Sequence, residues 1–164
     1  MGNSQTGAFI MKKSAGLKVV PPGEGHTLML VGGRYTFKAS GEDTGGAYAL
    51  IEMVLPPGSG PPPHLHEREE ESFYILEGTL QFQVGDESVT AGAGAYVKTP
   101  RGVAHALKNV GTTPARALVL VTPAGIEKYF EEIGQPEGEM PKAQALEKAK
   151  EIAPRYGITL LNSD

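Results

Sequence analysis

The chain contains no cysteine, so disulfides and thiolate metal ligands are both excluded. It has no apolar run near the roughly 20 residues that a helix needs to cross a bilayer, and no membrane association is expected. Basic clusters are also missing beyond Lys12-Lys13. With a formal net charge of −4, the surface offers no electrostatic footprint for nucleic acid or anionic lipid. The two lysines are followed by Ser14-Ala15-Gly16 rather than the apolar core of a secretion signal, so a cytoplasmic protein is expected. Aromatic residues make up only 7% of a chain that is 40% hydrophobic, and 164 residues supply one core but not two comfortable ones.

Glycine and proline, by contrast, are plentiful, and they divide the middle of the chain into short apolar runs. Strands are expected over Thr27 to Val31, Arg34 to Ala39, Ala47 to Leu55, Glu71 to Leu76, Thr79 to Val84, Ala95 to Lys98, Ala104 to Asn109 and Ala115 to Thr122. Such spacing predicts an antiparallel sandwich or barrel. Gly32-Gly33 and Glu77-Gly78 read as hairpin signals, and Gly85-Asp86-Glu87 as a third turn. The period then changes. Ile126, Tyr129, Phe130 and Ile133 form one helical stripe that Gly134 can end, and this helix should lie against the barrel. Residues 135–141 read as a linker, and Lys142 to Ile152 as a second amphipathic helix stopped before Pro154. Gly157 to Leu161 is a short apolar tail expected to pack on its own or a neighbouring subunit. The division is therefore a flexible tail at 1–16, a β-barrel at 17–124, and helices with a tail at 125–164.

Three of the four histidines carry the chemistry. His64 and His66 share a face if the chain between them is extended, and Glu71 can join them where the next strand begins. His105 stands on a separate apolar segment. Three neutral imidazoles and a carboxylate suit one divalent first-row metal (Fe, Mn, Ni, Co, Cu or Zn), with octahedral positions left for water, substrate or dioxygen. Gly60-Pro61-Pro62-Pro63 gives a stiff approach to the first ligand. Alternation puts Phe73 and Ile75 on the face of Glu71, and Leu107 on that of His105; with Met53 and Leu55 these are the expected walls of an apolar substrate pocket. Glu67, Glu69 and Glu70 read as a solvated charge run, and His26 as an exposed loop residue. Asn109 and Gly102 read as geometry-fixing, and Tyr35, Tyr48 and Tyr96 as pocket candidates that sandwich packing explains at least as well.

The complete spacing is Gly58-x5-His64-x-His66-x4-Glu71-x6-Gly78, then Gly94-x5-Pro100-x-Gly102-x2-His105-x3-Asn109. It resembles the paired motifs of the cupin superfamily. The resemblance implies an all-β, single-domain fold, a double-stranded β-helix or jelly-roll-like barrel, here with two C-terminal α-helices. Roughly from Gly45 to Gly134 the chain looks like the small quercetin 2,3-dioxygenase-like group, most tellingly in Thr122-Pro-Ala-Gly-Ile-Glu-Lys-Tyr-Phe-Glu-Glu-Ile-Gly134. That resemblance implies metal ligation by His64, His66, Glu71 and His105, with Glu71 also the base that removes a substrate hydroxyl proton. The expected activity is that of a metal-dependent dioxygenase acting on a small enolisable or aromatic, flavonol-like compound. The alternatives are a metal-dependent isomerase or lyase and a non-catalytic small-molecule-binding protein. A homodimer is expected because strands such as Ala115 to Val121 are apolar on both faces while a sandwich covers only one.

Overall fold

Period-two alternation decides the architecture. In strand β3 (Ala49–Leu55) every odd-numbered residue is buried and every even-numbered one is partly exposed, and β10 (Ala115–Thr122) buries alternate residues in the same way. The computed structural model describes residues 16–135 and 141–161. Residues 1–15 of the expected tail and residues 136–140 of the expected linker lie outside the described residues. Two antiparallel sheets face each other. One has six strands in the order β1 (His26–Leu30), β2 (Gly33–Ala39), β3, β10, β5 (Glu70–Glu77), β8 (Tyr96–Thr99). The other has five, in the order β11 (Ile158–Leu160), β4 (His64–His66), β9 (His105–Asn109), β6 (Thr79–Val84), β7 (Glu87–Gly92). Side chains from both inner faces, among them Ile51, Met53, Phe73, Phe82 and Leu107, interdigitate as one core. The protein is thus mostly β with a few helices at its C-terminal end.

All eight expected strands are present within a residue or two, and both expected helices form as α2 (Ile126–Ile133) and α3 (Lys142–Ile152). Helix α2 docks through the expected stripe: Ile126, Tyr129 and Ile133 are buried, and the Phe130 ring meets Tyr35 and Phe37 edge-on. A one-turn helix, α1 (Gly41–Thr44), sits between β2 and β3. Among the described residues no helix is long and apolar enough to cross a membrane.

Glu77-Gly78 is not a hairpin. Strand β5 belongs to the six-stranded sheet and β6 to the other, so this turn carries the chain between sheets. Gly78 has φ +80°, and a Cβ there would lie 2.8 Å from the Ala115 backbone, so only glycine makes the crossing without strain. The true hairpin partner of β6 is β7, whose sequence Glu87-Ser-Val-Thr-Ala-Gly92 buries only Ala91 and therefore shows no apolar alternation to read. Ile158–Leu160, expected as a packing tail, is β11, paired with β4 on the edge of the five-stranded sheet. His26 begins β1 rather than lying in a loop, and stacks on Phe37.

Asn109 ties several of these segments together and is fully buried. Its Nδ2 donates to the Leu55 and Thr113 carbonyls, both at 2.8 Å, and its Oδ1 accepts from the Gly111 amide at 2.9 Å. Its backbone exchanges hydrogen bonds with Gly58 and Ser59, at the start of the segment that leads to His64. Asn109→Ala leaves buried carbonyls without donors, so it is expected to cost roughly 2–4 kcal/mol in urea unfolding. The exposed neighbour Lys108→Ala should stay within about 0.5 kcal/mol of the parent.

Candidate metal centre

The three histidines come from one sheet and the carboxylate from the other. His64 and His66 alternate inward from β4, and His105 stands directly across from His64 in the β4–β9 pairing. Glu71 points inward from β5, followed on the same face by Phe73. The loop before β4 is pinned closely. A Cβ on Gly60 would fall 1.9 Å from the Leu107 carbonyl oxygen, so glycine is required where this loop runs against β9. Gly102 donates its amide to the His66 carbonyl at 2.7 Å, joining the turn before His105 to the first ligand strand.

All four side chains are buried, and each offers a donor atom within 4.8 Å of the other three. Glu71 Oε2 lies 3.1 Å from His105 Nε2 and 3.7 Å from His66 Nε2. The imidazoles crowd with ring centroids 4.4 to 5.5 Å apart. Neighbouring ligand atoms at about 2.0–2.3 Å from one first-row ion lie roughly 3–4 Å apart, a little less than the widest separation here, so small side-chain movements suffice to close on a cation. His64 Nδ1–H donates to the Pro62 carbonyl at 2.8 Å and His105 Nδ1–H to the Val103 carbonyl at 3.1 Å, because a carbonyl can only accept. That leaves Nε2 of each ring directed at the centre, as metal ligation requires. His66 Nε2 is buried without a hydrogen-bond partner among the described residues, as expected of a donor atom whose partner is an ion.

The electrostatics agree. Burial, reinforced by His105, depresses His64 to about 4, and burial also lowers His66, so both are neutral and able to coordinate near neutral pH. For Glu71 burial alone would favour the acid, but His66, the hydrogen bond from His105 and the other imidazoles outweigh it and hold the carboxyl at about 2. His105 is pulled down by burial and lifted further by its hydrogen bond to Glu71, with a net rise. Without a cation, the proton on His105 Nε2 supplies the positive charge that the Glu71 carboxylate needs.

A small cavity of about 70 Å³ opens onto His64, His66 and Glu71. Of the five expected wall residues, Met53, Phe73 and Leu107 line it. Leu55 and Ile75 are buried on the same faces but do not line the cavity. Leu55 lies two residues, about 6.6 Å, beyond Met53 along β3, while Ile75 is level with Met53 but stands on the far side of β10 from it. Tyr35 on β2, one of the three tyrosine candidates, also lines it, and unanticipated walls come from Phe130 and Ile133 on α2, Leu146 on α3, and Ile158 and Leu160 on β11. The α2 stripe was readable, but not that it would close a cavity. Tyr48 and Tyr96 are exposed. Tyr35 is buried, its hydroxyl has no hydrogen-bond partner among the described residues, and burial with the charge of Glu71 keeps it protonated. Glu69 is not part of a solvated run: a bend at Glu67 and Arg68 breaks the alternation and turns it inward, where it is only 5% exposed. Burial raises its carboxyl above the usual range. Glu70 is partly exposed and pairs with Lys98 at 3.0 Å.

Residues 51–121 match the family described as Cupin domain. A quercetin 2,3-dioxygenase of Bacillus subtilis is 23% identical over 118 residues, which cover 72% of this chain and 35% of that protein. An oxalate-binding protein of Thermotoga maritima is 38% identical over 75 residues, 46% of this chain and 62% of that protein. The chain therefore spans less than two thirds of either relative's length. The crystal structure of a predicted oxalate decarboxylase, also from Thermotoga maritima, superposes with a TM-score of 0.59 at 30% identity, covering 65% of this chain and 99% of that one.

Calorimetric titration with Zn(II) should saturate at one ion per chain. The ion displaces the His105 proton, and the raised His105 value means that this proton is present below its titration and absent above it. Proton release on binding should consequently shrink, and apparent affinity grow, as pH rises through the His105 titration, which lies above the ordinary imidazole range. Repeating the titration in buffers of different ionisation enthalpy measures both. Binding without proton release at mildly acidic pH would show that His105 carries no such proton.

Proposed function

This chain belongs to the cupin superfamily, and from that premise we propose that it is a metal-dependent dioxygenase acting on a small enolisable compound, with His64, His66, Glu71 and His105 holding one divalent ion. The observation that carries the reading is an ionised, buried carboxylate among three inward imidazoles at the end of an apolar cavity. When bound, a divalent ion would act there as a Lewis acid on the substrate oxygen. With Glu71 the single anionic ligand, the ion and its direct ligands would together carry one net positive charge, and no Lys or Arg lines the cavity among the described residues. That balance favours a single anionic oxygen, such as an enolate, over a phosphate or dicarboxylate.

Glu71 takes the hydroxyl proton of the substrate, and the neighbouring imidazoles spread the charge that this moves. Tyr35, which lines the cavity and whose hydroxyl has no partner among the described residues, donates a hydrogen bond to a second substrate oxygen. Met53, Phe73, Leu107 and the α2 side chains exclude bulk water from the reacting atoms. The similarity to the Bacillus quercetin 2,3-dioxygenase supports the oxygenase reading. The match to the Thermotoga oxalate-binding protein favours a second one, a non-catalytic binder of a small molecule.

Oxygen uptake, measured with the metal-loaded chain over a panel of enolisable and flavonol-like compounds, tests the choice. Turnover with matching oxygen consumption is expected. Turnover without it would favour an isomerase or lyase, and saturable binding without turnover the binding protein. With an active substrate at full metal occupancy, Glu71→Gln should lose about 10²-fold or more in kcat while remaining folded. Glu70→Gln should lose little.

We also propose a homodimer through the outer face of the six-stranded sheet. Tyr74 on β5 and Tyr96 on β8 are cross-strand neighbours there, and both are exposed, as are Leu120 and Tyr48. Light scattering at micromolar concentration should return twice the 17.3 kDa chain mass; a single chain mass would contradict the proposal.

A further inference from the structure

Metal-binding imidazoles need an acceptor for the ring nitrogen that faces away from the ion. His64 and His105 have backbone carbonyls for this purpose, Pro62 and Val103. Among the described residues His66 has none: its Nδ1 is buried and makes no hydrogen bond. The atom nearest to serving it is Glu69 Oε2, at 3.8 Å, and that oxygen is also buried without a hydrogen-bond partner. Two complementary orphaned atoms thus face each other in the interior, across a gap too long for a hydrogen bond and too short to hold a bridging water. A shift of less than 1 Å closes it.

We propose that Glu69 is a positioning residue for the metal centre, accepting the Nδ1–H of His66 and so holding that ring with Nε2 toward the ion. It touches neither ion nor substrate and acts through His66 alone. The three imidazoles would then be unequal, because two lean on neutral carbonyls and one on a carboxylate. A carboxylate acceptor makes the ring a stronger donor to a cation than a carbonyl does, so Glu69 is expected to tighten metal binding. It also explains why a carboxylate is kept in the interior beside Glu71, a like charge: shared with His66 and balanced through it by a divalent ion, its charge is no longer isolated.

The inference rests on the metal assignment above. Its test is Zn(II) affinity measured by competition with a chromophoric chelator, together with proton NMR of the Zn-loaded chain. In the parent, the His66 Nδ1–H should resonate downfield of the corresponding protons of His64 and His105. Glu69→Gln retains an oxygen acceptor and loses the charge; its Zn(II) affinity should fall about 10- to 100-fold and the His66 resonance should move upfield. Glu69→Ala should weaken binding further, and Glu70→Gln should leave affinity within about twofold of the parent. The metal-free variants should melt at or above the parent, since no hydrogen bond is lost. If Glu69→Gln does not fold, the parent's NMR spectrum decides alone. Unchanged affinity in Glu69→Gln, or a His66 proton that resonates with the other two, would overturn the inference while leaving the metal centre intact. A parent chain that takes up no Zn(II) would overturn both.

Discussion

A carboxylate cannot remain ionised in an apolar interior without a positive partner, and Glu71 is buried and ionised. Much of the structure follows from that constraint. One sheet supplies the negative charge and the other supplies the three imidazoles that answer it, so the two layers are joined by electrostatics as well as by the core between them. Either sheet alone would hold an unfinished site. A proton on His105 or a divalent cation can complete it, and the choice between them links metal binding to pH.

The ligands were legible in the sequence for a simple reason. An extended chain has a fixed two-residue period, so His64 and His66 had to share a face, and Glu71, Phe73 and Ile75 had to share another. Period, however, reports a face and not a position on it: Leu55 lies beyond Met53 along β3, and Ile75 lies across β10 from it, so neither reaches the cavity on the face they share with its walls. It also fails at bends. Glu69 sits in a run of acidic residues that looks solvated, and only the backbone turn before it sends the side chain inward. Strand β7 was invisible because a strand solvated on nearly all of its length has no pattern to show. The Glu77-Gly78 turn illustrates a third limit: local residues announce that the chain turns, not which sheet it turns into.

The cavity is closed by elements outside the ligand motifs. Helix α2 brings Phe130 and Ile133, α3 brings Leu146, and β11 brings Ile158 and Leu160. Beyond Phe73 and Leu107, which lie within the motifs, much of the pocket's shape is thus set by other parts of the chain and can vary without changing the ligands, as expected where one fold hosts many chemistries. Tyr35, on β2, also belongs to that wall, and it stands before both motifs in the sequence.

Strand β4 has only three residues, and its neighbours are β9 on one edge and β11 on the other. During synthesis all four ligands leave the ribosome well before residues 158–160. At roughly 5–20 residues per second the interval from His105 to Leu160 lasts about 3–10 s. Throughout that interval the strand bearing two of the ligands has an open edge, with unpaired amides and carbonyls available to any passing strand. A nascent chain that captured an ion early would hold its metal in a half-walled barrel, so the order of events in the cell, ion first or last strand first, sets how long that edge stays vulnerable.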